Sequence, residues 1–232
     1  MKSKVVVCLS LVLSGILIGC ASVGRKTGAT AATQPPITLG RTDYDFKPGQ
    51  KMFLSLIWEE GKYTRYNEED DWCGQGDKYS GKFIFRVELL DALAGNKTVD
   101  TSLDSLYPDG GWVDFIFADL TQPWDFRMAD YNNDGQPDFN LANYGGCSHE
   151  LCSLFTVTPS GKVEVLKIDG KSDPLVVGRA YDHSVPDFNL MLTGFYYERF
   201  DRPNDADYLE FLDWDAKQKT FHSHEQKIVL RQ

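Results

Sequence analysis

The nine residues Asp130-Tyr131-Asn132-Asn133-Asp134-Gly135-Gln136-Pro137-Asp138 restrict the fold more than any other stretch of the chain. Oxygen-bearing side chains fall at loop positions 1, 3, 5 and 9 and glycine at 6, the spacing by which a loop wraps a hard cation such as Ca2+. Asp130, Asn132, Asp134 and Asp138 would supply side-chain oxygens, Gln136 a backbone carbonyl, and Gly135 the turn. A helix-flanked calcium loop needs glutamate at position 12, and that position is Leu141. The flanks read instead as strands, residues 126–129 before the loop and the alternating residues 139–144 after it. The plainer reading takes Asn133-Asp134-Gly135 as only a hairpin turn. Four correctly spaced oxygens in nine residues favour the ion.

This pattern resembles the calcium loop of FG-GAP/VCBS-type repeats, the β-propeller blades of integrin α-chains and many bacterial envelope proteins. The resemblance covers residues 126–146 and implies a structural Ca2+ between two strands of a blade. Pro137-Asp138-Phe139-Asn140-Leu141 recurs 49 residues later as Pro186-Asp187-Phe188-Asn189-Leu190. Each copy leads into a loop, an aromatic strand, a turn and a final strand. Shifted by that offset, loop positions 1, 3, 5 and 6 become Arg179, Tyr181, His183 and Ser184, and only Asp187 survives. Residues 179–232 therefore read as a degenerate second repeat without its ion, and one Ca2+ is expected per chain.

The rest of the chain supports an all-β fold. Residues 52–58 are apolar and β-rich, and residues 82–90 alternate with Phe83, Phe85, Val87 and Leu89 on one face. Further strands are expected at 112–117, in a hairpin of 154–158 with 163–168 across Pro159-Ser160-Gly161, and at 208–214 with 220 onward. The expected architecture is a β-propeller-like array of short antiparallel blades, about four or five at ~40 to 50 residues each. A compact two-sheet β fold is the alternative.

At the N-terminus, Lys2 and Lys4 precede an apolar run over residues 5–18, too short to span a bilayer as a mature helix. It ends in Leu17-Ile18-Gly19-Cys20, which resembles the lipobox of bacterial lipoproteins. The resemblance implies that residues 1–19 are a signal peptide and that Cys20 is lipidated; an ordinary secretory signal cut nearby is the alternative, and either exports the chain. Ala21 rather than aspartate follows, which by resemblance to Gram-negative sorting rules points, for a Gram-negative cell, to the periplasmic face of the outer membrane. Residues 22–40, rich in Gly, Ala, Thr and Pro, read as a tether, and residues 41–232 as a single β domain.

Loss of Lys2 and Lys4 leaves 22 basic against 34 acidic residues, a net charge of −12. That argues against nucleic acid and anionic polymers as ligands and favours a basic protein partner. Of the remaining cysteines, Cys147 and Cys152 flank a four-residue loop and are the first candidates for a disulfide, with Cys73 the alternative partner. His149 within that loop lacks the second ligand pair of a zinc site. The loop and the acidic segments 68–71 and 201–207 are candidate recognition elements, with Trp72, His149, Glu150, Tyr196 and Tyr197 as possible partner-binding side chains.

No Gly-x-Ser-x-Gly, His-Glu-x-x-His or phosphate-cradling glycine loop occurs, so no catalytic residue is assigned. The expected function is partner binding by an anchored, calcium-stabilised envelope protein. Such single-repeat lipoproteins are similar to periplasmic inhibitors of lysozyme-like peptidoglycan hydrolases and to immunity proteins. An envelope hydrolase with structural calcium is the alternative, and an adhesion or assembly scaffold a second.

Overall fold

A computed structural model describes residues 35–47, 49–65, 77–91, 95–107, 115–118, 126–146, 149–178, 188–201 and 206–228. Among these residues the chain forms three sheets, antiparallel but for one short parallel pair, and one helical turn, α1 (Leu103–Leu106). The first sheet is a meander in chain order, β1 (Ile37–Lys47), β2 (Gln50–Thr64), β3 (Asp77–Asp91) and β4 (Lys97–Ser102). β5 (Phe115–Ala118) pairs with residues 77–80 of β3, clear of the stretch that β4 occupies.

The second sheet pairs β6 (Asp138–Gly146) with β7 (His149–Val157), and β8 (Val163–Val165) with the C-terminal end of β7. β9 (Lys167–Ile168) then leaves this sheet, and β10 (Leu175–Gly178) returns to pair with the start of β7. The third sheet is the meander β11 (Asn189–Met191), β12 (Gly194–Asp201), β13 (Ala206–Asp215) and β14 (Thr220–Ile228), and β9 joins β14 in parallel.

Successive strand residues point to opposite faces, and this separates two hydrophobic cores. In β3 the stripe Phe83, Phe85 and Val87 is buried, with Leu89 packed at its margin, and it meets Met52, Leu54, Leu56 and Trp58 of β2. This first core also takes Phe139 and Leu141 from β6 and Phe155 and Val157 from β7. The opposite face of β7 sends Cys152 and Leu154 into a second core with Leu175, Val177, Phe195, Leu212 and Phe221. The middle sheet is thus apolar on both faces and lies between the other two. Each fully buried Phe or Leu contributes about 1.5–3 kcal/mol.

None of the three sheets closes on itself, and the described residues supply three where about four or five blades were expected. The layered arrangement agrees with the compact sheet-on-sheet alternative. Two boundaries also differ from expectation. β1 starts at Ile37, within the segment assigned to the tether, and Leu39 is fully buried. Residues 126–129 form no strand; only Ala129 bridges to Asp138, with hydrogen bonds of 2.9 and 2.6 Å. Of the repeated pentapeptide, Asp138–Leu141 lie in β6 and Asn189 and Leu190 of the second copy lie in β11. Phe139 and Leu141 are buried in the first core, whereas Phe188 only packs against the second and Leu190 is exposed. Residues 179–187, which carry the shifted loop positions, lie outside the described residues.

Candidate metal centre

The loop before β6 closes on itself through its own side chains. Asp130 accepts the backbone N–H of Asp134 on Oδ1 and that of Gly135 on Oδ2, both at 2.9 Å. Asn132 Oδ1 also accepts the Asp134 N–H, at 3.1 Å, and its Nδ2 donates to Asp134 Oδ2 at 3.0 Å. Asp134 Oδ1 accepts the N–H of Gln136 at 2.8 Å. Asn133 and Gly135 take φ of 56° and 81°, left-handed values that asparagine tolerates and glycine adopts without penalty. The result is a tight wrap that turns the alternate oxygens inward.

Asp138 anchors the wrap from below. It is fully buried, and its Oδ2 accepts the N–H groups of Tyr131 at 2.9 Å and Asn132 at 3.2 Å. Its other oxygen, Oδ1, has no hydrogen-bond partner, and neither has the buried Oε1 of Gln136. Thr156, opposite Asp138 in the sheet register, sits near enough to favour the ionised carboxylate but without full hydrogen-bond geometry. Burial pushes the Asp138 carboxyl up to about 7, and the charges of Asp134 and Asp130 push in the same direction. An unpaired buried oxygen on an acid is a costly arrangement.

A cation would relieve that cost, and the donor set consists of the hard oxygens Ca2+ prefers. Convergence is the weaker part of the fit. Asp130, Asn132 and Asp134 spend oxygens on backbone N–H groups, and among the described residues no three His, Cys, Asp or Glu side chains gather into a metal cluster. The loop has the wrap, the chemistry and the orphaned oxygen of a cation site, while its carboxylates are not drawn together.

The loop also links layers. Phe126, four residues ahead of Asp130, is buried in the first core, whereas the Tyr131 ring enters the second, 5.5 Å from Phe188 and 5.2 Å from Phe195. Burial holds the Tyr131 hydroxyl well above the usual tyrosine range, so it stays protonated and donates to the Arg127 carbonyl at 3.3 Å. Asn133 Nδ2 donates at 3.2 Å to the carbonyl of Leu192, in the β11–β12 turn. Loop, second sheet and third sheet are thereby tied together.

The remaining candidate residues are dispersed. Cys20, Trp72, Cys73 and Cys147 lie outside the described residues, and so does either disulfide pairing. Cys152 is buried in the second core. His149 and Glu150 open β7. Tyr196 and Tyr197 separate: Tyr196 is half-buried on one face of β12, while Tyr197 is buried in the second core on the other. Neighbours in a strand cannot share a face, so Tyr197 belongs to the interior. Its hydroxyl donates to Glu210 Oε2 at 2.6 Å, in a network with Arg199, Glu225 and Ser223. That network was missed because only strand register aligns the five residues.

The chain matches no family model, and it matches no curated protein.

Proposed function

We propose that this chain is a calcium-stabilised, lipid-anchored protein of the cell envelope that binds a basic protein and catalyses nothing itself. The observation that carries the reading is the loop of residues 130–138. Its buried, unpartnered Asp138 Oδ1 asks for a cation, and its anchors reach both hydrophobic cores. An ion there acts on the architecture. The ion would set the junction between the second and third of the three open sheets. The lipobox-like Leu17-Ile18-Gly19-Cys20 supports the anchor and the periplasmic face of the outer membrane, and the acidic surplus supports the basic partner. Inhibition of a lysozyme-like peptidoglycan hydrolase, as in immunity lipoproteins, is the form this binding would take.

The test is affinity capture from an envelope extract on the immobilised full chain, in calcium and again in chelator. Retention of one stoichiometric basic protein in calcium supports the reading, and inhibition follows as an assay if that protein is a peptidoglycan hydrolase. An empty column in both conditions, with the bait shown to be folded, overturns it.

A further inference from the structure

The third sheet has two unlike faces. Phe195, Tyr197, Leu212 and Phe221 point inward to the second core. On the outward face Tyr196, Phe211 and His224 stand directly opposite one another on β12, β13 and β14. Their rings form a continuous row, with centroids 5.5 Å apart for Tyr196 and Phe211 and 5.1 Å for Phe211 and His224. Tyr196 and Phe211 are half-buried and His224 is exposed. The row gives the sheet a partly exposed aromatic strip on its outward side.

The outward positions of β12, β13 and β14 around it carry acidic charge, and the sheet's outward lysine, Lys167, stands on the edge strand β9 beside Thr220. Glu198, Asp207 and Asp213 occupy outward positions of β12 and β13, and Asp213 lies 3.5 Å from the ring of His224. No outward position of these three strands carries lysine or arginine. The cations of the strands, Arg199 and Lys227, lie on the inward face, where Arg199 is matched by Glu210 and Glu225.

We infer that this outward face is the surface that receives the partner, and that the occupant is a protein segment presenting arginine or lysine side chains. The inference rests on the protein-binding reading above. Carboxylates take the cationic heads, most strongly as bidentate pairs with arginine, and the aromatic row takes the apolar stems. A sugar would want ring faces lying flat toward solvent. Here Phe211 and His224 are stacked at an interplanar angle of 7°, so those faces are turned largely to each other.

The test titrates the full chain with a synthetic peptide of alternating arginine and leucine, and with a counterpart carrying glutamate in place of arginine. Two double variants of equal charge change are compared, Glu198→Lys with Asp213→Lys on this face, and Glu59→Lys with Glu164→Lys at exposed positions of the other two sheets. The arginine peptide should bind and the glutamate peptide should not. Affinity should fall about tenfold or more in the outward-face variant, little in the control, with both melting normally. Equal losses in the two variants, absence of arginine-peptide binding, or binding of a neutral oligosaccharide that only the outward-face variant loses would each overturn the inference. A captured partner protein that binds the outward-face variant undiminished also overturns it and leaves the protein-binding reading intact. If the full chain captures nothing, that broader reading falls, and the peptide titration still decides this one.

Discussion

At the scale of single residues, Asp138 governs how the protein responds to its medium. Its buried carboxyl has an ordinary value of 3.8 and is pushed up to about 7, so the neutral form is the one that suits the fold. Without calcium, that stabilisation is fully present below pH about 4 and is lost as the pH rises through about 7, up to about 4 kcal/mol in all. Thermal melts in chelator should therefore fall between pH 5 and pH 8 and level off above. Saturating calcium favours the ionised carboxylate and should flatten or reverse the slope, adding ~2.7 kcal/mol at a hundredfold excess over Kd. Asp138→Asn should remove both the slope and the calcium response; a variant that keeps its calcium response would show that the ion binds elsewhere. Asn133→Ala removes the bond to Leu192 and puts alanine at a left-handed φ, and should cost about 1–3 kcal/mol, read from denaturant midpoints. The loop's wrap was legible in the sequence because the side-chain oxygens that accept its backbone N–H groups recur at a fixed spacing in contiguous residues. The opposite fates of Tyr196 and Tyr197 were not, since two adjacent tyrosines look alike until pairing with β13 assigns each a face.

At the scale of elements, legibility followed alternation. β3 and the β13–β14 pair each carry an apolar stripe bounded by turn residues and form over the stretches expected, whereas the strand expected at 163–168 splits into β8 in the second sheet and β9 in the third. β4, with the sequence Lys-Thr-Val-Asp-Thr-Ser, has almost no stripe, and β10 and β11 are short. Such strands take their place from the register of a neighbour, β3 for β4, β7 for β10 and β12 for β11, and not from a stripe of their own. A crossing glycine pair was equally hidden. Gly61 and Gly81 face each other across β2 and β3 at φ of 145° and 123°, just past a bulge at Trp58 and Glu60. A Cβ on Gly61 would lie 1.8 Å from the Ser80 carbonyl oxygen, the same oxygen that accepts the Trp58 indole N–H at 3.1 Å. Gly61→Ala should destabilise by about 2–4 kcal/mol, with the near-ultraviolet signal of Trp58 changing alongside the melt. An unchanged midpoint would mean that the two strands separate there at little cost.

At the scale of the whole molecule, the sequence signalled strands throughout and a repeat, but not the number of sheets or how they face one another. Those depend on which side of β7 each residue takes, a property that sequence spacing sets only once pairing partners are known. The outcome places Phe85 against Phe139 and Phe155, with ring centroids 5.0 and 5.1 Å apart, at the seam between first and second sheets. Phe85→Ala should cost about 3–5 kcal/mol and lower the melting temperature of the whole domain in a single transition. A separate early transition confined to residues 37–102 would show instead that the first sheet unfolds independently. The two-faced middle sheet has a consequence for how the molecule is made. A chain leaving the ribosome completes β1 through β4 before Asp138 emerges, so one apolar side of that meander has nothing to lie against. Birth order thus runs ahead of shelter, and fragments ending before β6 should aggregate where the full chain stays in solution.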